Sequence, residues 1–362
     1  MELVSSPTIS ISTPAKTDKV AANILKGVAI SAVILLHTLS SLPAETYTTS
    51  PNRNFFIVID QLCRFSVPLF IALSGYGLAK RYQHKHPGLR EFFQRRVLKL
   101  LPLYILWSGV LFFLFSLELS WQVKHETVSI FAFLKKLWQG GVDYHLYFVP
   151  LIFQMYVIFP LIFFLQARKD DRKKLVILGG GFALQLAAFM YFAQFFRYNP
   201  DLPFSTDQKQ YSSIFSWIFY FIQGIFFAQV EISRKRKEKL AVLFAVAATA
   251  GVTMAILQPI QKIELGYDPL MALRFTRLPI FLYVGSLISL LFLSLHRIAH
   301  IPKIWSRLLS IIGEHSYLIF LAHTLGLRIV FGYLEKTVST QMLLFSSFIL
   351  LITFYGSKRL SK

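Results

Sequence analysis

The chain has 362 residues, of which 55% are hydrophobic and 16% aromatic, while only 15% are charged. A soluble domain carries about 25% charged residues, so this composition excludes a disordered chain, a disulfide scaffold and an ordinary soluble enzyme, and leaves a polytopic membrane protein. The formal net charge of +20 comes from 38 Lys and Arg against 18 Asp and Glu. These cations sit in short segments between long apolar runs, the pattern of membrane topology rather than of nucleic-acid binding.

Residues 1–19 are rich in Ser, Thr and Pro, with no apolar stretch, and read as a flexible cytoplasmic tail rather than a signal peptide. Ten apolar runs follow, at 22–42, 55–78, 98–117, 144–165, 175–196, 211–230, 240–258, 278–295, 309–331 and 341–357. A spanning helix needs ~20 such residues, and in lipid the backbone must satisfy its own hydrogen bonds. The expected fold is therefore an all-α bundle of about ten transmembrane helices, ending in a short tail at 358–362. The connecting segments fall into two alternating sets with 25 and 10 Lys and Arg, the tail and the C-terminus belonging to the richer set. The positive-inside rule then places both termini in the cytoplasm. The single cysteine, Cys63, excludes an intrachain disulfide and any Cys-based metal motif. His84 and His86 form an isolated H-x-H without a third ligand, so no metal is expected.

Ionisable residues inside a bilayer are costly and mark function by default. In the first run, Lys26 lies roughly 6 Å and His37 roughly 22 Å from the cytoplasmic edge, on one helical face. In the second, Asp60 and Arg64 are at i, i+4 and can pair. Asp60 falls near the His37 level, as does His323 of the ninth run, while Glu314 falls near Lys26. Two polar tiers result: His37, Asp60 and His323 outside, Lys26 and Glu314 inside. Structural alternatives stand beside each: a helix–helix hydrogen bond for His323, an ion pair for Asp60 and Arg64, neutralisation of a base for Glu314, snorkelling for Lys26. His37 has no charged neighbour in its own run, and a neutral imidazole there can serve as a general base. Residues 79–99, from the end of the second run into the start of the third, carry Lys80, Arg81, Lys85, Arg90, Arg95, Arg96 and Lys99, with Glu91 the one acid. Such a cluster holds either the phosphates of a nucleotide-like donor or the headgroups of the inner leaflet.

Five stretches in order carry a family resemblance: Leu25-Lys26-Gly27-Val28-Ala29-Ile30 leading to His37; Val67-Pro68-Leu69-Phe70-Ile71-Ala72-Leu73-Ser74-Gly75-Tyr76; Phe92-Phe93-Gln94-Arg95-Arg96-Val97-Leu98-Lys99-Leu100-Leu101-Pro102-Leu103-Tyr104; His145-Leu146-Tyr147-Phe148-Val149-Pro150-Leu151; and Ser316-Tyr317-Leu318-Ile319-Phe320-Leu321-Ala322-His323. Together they resemble the acyltransferase-3 family of integral-membrane O-acyltransferases, over 20–357. Lys26 and Lys99 stand where the family usually has Arg, and Tyr147 where Trp is commoner. Lys26 resembles a subset that acylates biofilm and capsular polysaccharides.

The resemblance implies an O-acetyltransferase of a bacterial plasma membrane. It would move an acyl group from cytoplasmic acyl-CoA, a donor substrate rather than a tightly bound cofactor, to a sugar hydroxyl of an envelope or exported glycan. It assigns catalysis to His37, with Lys26, Asp60 and His323, and acyl-CoA binding to Arg95, Arg96, Lys99, Ser74 and Tyr76. Arg64, His145 and Glu314 would be polar groups of the acceptor side or the framework. A transporter or flippase of a lipid-linked sugar is the alternative, since midplane ionisable residues also suit that class. The topology has a direct check. A reporter fused after Lys362 should stay inside the cell; export of the reporter would overturn the assignment.

Overall fold

The computed structural model describes residues 13–43, 45–83, 88–122, 129–166, 170–198 and 210–333. The tenth expected run and the His84–His86 pair lie outside them. The described residues are all-α: α1 Thr13–Ser40, α2 Glu45–Thr48, α3 Arg53–Cys63, α4 Ser66–Tyr82, α5 Leu89–Gln122, α6 Ile130–Gln139, α7 Phe148–Gln166, α8 Asp171–Tyr198, α9 Ile218–Gln229, α10 Arg234–Glu264, α11 Pro269–Ala272, α12 Leu278–Leu293, α13 Leu295–Ala299, α14 Lys303–Glu314 and α15 Ser316–Tyr333. Six helical stretches among them are long and apolar enough to cross a membrane, or seven if α14 and α15 form one bent span. The chain is thus an all-α polytopic membrane protein.

Each of the first nine expected runs coincides with a helix, but four differ in shape. The second is broken at Arg64–Phe65 into α3 and α4. Pro68 explains the break, because it has no N–H to offer the carbonyl four residues earlier, which is that of Arg64. The fourth run begins only at Phe148. Gly140, at φ 67°, ends α6 in the left-handed region, and residues 141–147 form a turn that carries His145 outside the helix. The sixth is shortened to α9 by a tight turn at Ile214–Ser216, where the Trp217 indole N–H donates to the Tyr211 carbonyl at 2.8 Å. The ninth is bent by 78° between α14 and α15. Glu314 therefore ends one helix and His323 belongs to the next.

The bundle is knit by three helix pairs in near-backbone contact. Gly224 of α9 lies against the Ala72 carbonyl of α4, and Gly75 of α4 against that of Phe221. Gly251 of α10 meets the Tyr283 backbone of α12. At the crossing of α1 and α14, Gly27 meets Leu309 and Gly313 meets Asn23. Small residues let membrane helices approach this closely, and dispersion then replaces the missing hydrophobic drive. The centre is α9, nine of whose twelve residues are buried. Its Gln223 side chain donates to the Gly285 carbonyl at 2.8 Å and to Ser289 Oγ at 2.7 Å, which ties α9 to α12.

Helix ends gather on two opposite faces. On one, Asp18 reaches Tyr76 and Lys80, and Lys174 reaches the Gln229 carbonyl. On the other, Arg53 pairs with Glu264 at 2.8 Å, and the Tyr47 hydroxyl donates to the Leu39 carbonyl. The face holding Asp18 is also the one rich in Lys and Arg.

A methyl at position 313 would overlap the Asn23 carbonyl. Gly313→Ala should therefore destabilise the detergent-solubilised protein by about 1–3 kcal/mol. Gly179→Ala, with open space around it, should leave stability unchanged or slightly raised. Thermal unfolding of the two variants checks this, and equal midpoints would refute the tight crossing.

Candidate active site

The first run delivers His37 to the inside of the bundle, where it is partly accessible. Its ring lies 5.2 Å from that of His323 on α15 and 4.9 Å from Tyr144 in the turn before α7, centroid to centroid. His323 in turn touches His145 at 4.8 Å. His145 Nδ1 is 3.5 Å from Asp143, and Asp143 accepts from the Arg328 guanidinium at 3.3 Å and from the Tyr144 backbone N–H at 2.8 Å. The three imidazoles and one carboxylate thus form a continuous line from α1 through α15 to the turn.

The turn is built for this. The αL glycine reverses the chain after α6, and the Cβ of any other residue there would collide with Tyr147. Leu146, between His145 and Tyr147, is fully buried and pins the turn in an apolar cluster with Tyr104, Leu111 and Leu321. Asp143 and His145 are almost fully buried as well.

The tautomer of His323 follows from its partner. Its Nδ1 lies 2.7 Å from the Phe320 carbonyl, and a carbonyl can only accept, so Nδ1 carries the proton. Nε2 then keeps its lone pair. That atom is buried and has no partner among the described residues. His145 Nε2 is in the same condition, while His145 Nδ1 and the second Asp143 oxygen have only each other, at 3.5 Å. Buried polar atoms left in this state are costly and uncommon, and several of them lie together along the histidine line. Among the described residues, no three His, Cys, Asp or Glu side chains are grouped so as to hold a metal ion.

Asp60 does not join the imidazoles. Its oxygens accept two parallel bonds from Arg64, both 2.9 Å, and one from Gln61 at 2.6 Å. Gln61 accepts in turn from Arg277. Arg64 itself lies within electrostatic reach of His37. The expected outer tier therefore divides into a histidine line and an adjoining Asp–Arg network.

At the other end of α1, Lys26 is within electrostatic reach of Lys99, Glu314 and Lys19. Glu314 accepts from the Asn23 amide at 3.0 Å. The basic stretch before the third run is helical from Leu89 onward, so Arg95 and Arg96 project in different directions. Arg95 pairs with Glu91 on the exposed surface. Arg96 turns inward over the rings of Phe92 and Tyr156, at 5.6 and 5.5 Å. Tyr156 also meets Ser74, with 3.4 Å between the oxygens, and the Tyr76 hydroxyl donates to Asp18 at 2.7 Å. Arg96 and Ser74 are thus linked through Tyr156. Tyr76 opens onto the N-terminal end of α1.

Sequence reasoning missed Asp143, Tyr144 and Tyr156. The D-x-H spacing of Asp143 and His145 beside Gly140-Gly141 was the available signal for the first. Tyr156 gave none, because an aromatic residue in an apolar helix is ordinary core.

Compared with known proteins, residues 19–357 match the acyltransferase-3 family model, described as an acyltransferase domain. No curated protein and no solved structure gives a match.

Proposed function

The chain belongs to the acyltransferase-3 family and is a membrane-bound acyltransferase, and from that premise we propose that it transfers an acetyl group from acyl-CoA to a sugar hydroxyl of an envelope or exported glycan, with His37 as general base. The observation that supports this most is the contact of His37, on the first spanning helix, with His323 and Tyr144 inside the bundle. Lys26 lies three turns away on the same helix, near Lys99. One helix thereby connects a cationic end with an imidazole cluster.

The donor enters from the face of Lys26, Arg96 and Lys99, which read as the cytoplasmic side, with both termini there and ten spans in all. Arg96 and Lys99 meet the phosphates, and Ser74 and Tyr76 flank the pantetheine arm. Arg95, given to Glu91, assists at the surface.

At the outer end, His37 takes the proton from the sugar hydroxyl as its oxygen attacks the thioester carbon. In the reacting complex the free Nε2 of His323 accepts the N–H of His37, which presents the opposite ring nitrogen to the sugar. His145 and Asp143 steady His323 and stabilise the charge that forms on His37. The tetrahedral intermediate then collapses. The C–S bond breaks, the CoA sulfur recovers the proton from His37, and an O-acyl ester is left. The family match favours this transfer over the transporter alternative. The likeness to enzymes acting on biofilm and capsular polysaccharides, and a bacterial plasma membrane, belong to the same reading.

His37→Ala should insert normally and lose at least ~100-fold in acetyl transfer to glycan, read by mass spectrometry of envelope glycans. Unimpaired acetylation would remove His37 from the mechanism. Arg96→Ala should raise the KM for acetyl-CoA about tenfold with little change in kcat. An unchanged KM would return Arg96 to a packing role on Phe92 and Tyr156.

A further inference from the structure

The Asp–Arg network beside His37 is not electrically balanced. Arg64 and Arg277 share one carboxylate, that of Asp60, and no second carboxylate lies within electrostatic reach of either among the described residues. Arg277 is otherwise satisfied by neutral oxygens: the Arg274 carbonyl at 2.9 Å, Gln258 at 3.0 Å, the Ala255 carbonyl at 3.1 Å, and Gln61. Two guanidinium groups against one carboxylate leave a charge of +1 inside a membrane bundle. An uncompensated charge there is costly.

The excess has an open edge. Arg64 uses Nε and Nη2 on Asp60, while its Nη1 donates to no described residue. The Arg64 side chain keeps 15% of its surface accessible, against 3% for Asp60. Its position favours this exposure, because it occupies the break that Pro68 makes between α3 and α4. Facing it are His37, Tyr147 and Tyr211, each within electrostatic reach. Tyr147 and Tyr211 lie 5.6 Å apart, and Tyr211 continues into Phe275 at 4.7 Å and the stacked Trp217. The free edge of a guanidinium thus stands beside a wall of aromatic rings, next to the imidazole that receives the hydroxyl proton.

From this arrangement we infer that the acceptor is an acidic glycan, whose carboxylate or phosphate group docks on Arg64 while its sugar ring packs on Tyr147 and Tyr211. The inference rests on the acyltransferase reading, since it gives the acceptor of that reaction its charge class. A planar guanidinium suits either oxyanion. The incoming charge of −1 or more compensates the surplus guanidinium, and the docked group brings a neighbouring hydroxyl to His37. Bonds made by a charged donor in a partly desolvated site are stronger than neutral ones, so discrimination against a neutral sugar is built in.

The test is binding, which needs no turnover. The full chain in nanodiscs is titrated with methyl β-glucuronide, glucose 1-phosphate and methyl β-glucoside. At least one acidic sugar should bind about tenfold more tightly than the neutral one, and the better of the two identifies carboxylate or phosphate as the source. Arg64→Gln alone would strand a buried carboxylate and could fail to fold, so it is paired with Asp60→Asn. The double variant should keep the affinity for methyl β-glucoside and lose the preference. Equal affinity for all three sugars, no binding by any, or a preference that survives the double substitution would overturn the proposal. His37→Ala should retain the preference while losing acetyl transfer, which separates failure of this inference from failure of the acyltransferase reading.

Discussion

The ring contact between His37 and His323 depends on a steric condition elsewhere. The two histidines belong to helices nearly three hundred residues apart in sequence, and packing alone brings them together. The condition is the crossing of α1 and α14, where Gly27 and Gly313 let two backbones touch. The bend after Glu314 then turns α15 up along α1. Ile30, Val33 and Ile34 pack with Ile312, Ile319 and Leu327 in one cluster, and His37 arrives beside His323 one turn further on. A bulkier residue at the crossing would move α15 and its histidine together. The chemistry of the site is thus set by residues that carry none.

The same geometry explains why the cations assigned to the donor and the imidazoles occupy separate regions of one molecule. Lys99 is exposed at the basic face, where water and counterions screen it, and Lys26 lies partly buried close behind it. The histidine line stays within the bundle, where neutral imidazole costs least to bury. Between the two, α1 presents a single face for three turns. Donor phosphates and an attacking hydroxyl make opposite demands on their surroundings. A helix with cations at one end and a base at the other can meet both.

Much of the fold was legible in the residues because lipid imposes strong rules. Apolar runs of about twenty residues had to be helices, and nine of the ten coincide with described helices. The departures lie where local chemistry overrode length. Pro68 broke the second run, Gly140 and the following turn delayed the fourth, and the bend at His315 divided the ninth. The tier estimate brought His37 and His323 together because rise per residue is a robust measure of depth. It failed to separate Asp60 from them, since depth says nothing about which way a side chain faces across a bundle. Asp143 was hidden for a related reason: it lies in a segment that hydropathy reads as a connection, and only the tertiary fold carries that turn into the core. Arg95 and Arg96, adjacent in sequence, were grouped by spacing to Lys99, whereas Glu91 and Tyr156 draw them apart.

The central claim is that a thioester bound at the basic face reaches the imidazole of the first helix through the interior of the bundle. An experimentally determined complex with a non-reactive thioether analogue of acetyl-CoA measures this directly. The account predicts the sulfur within about 4 Å of a reacting position at His37, with the nucleotide phosphates beside Arg96 and Lys99. A sulfur resting among lipid-facing side chains, with His37 closed off from it by packed residues, would contradict the account.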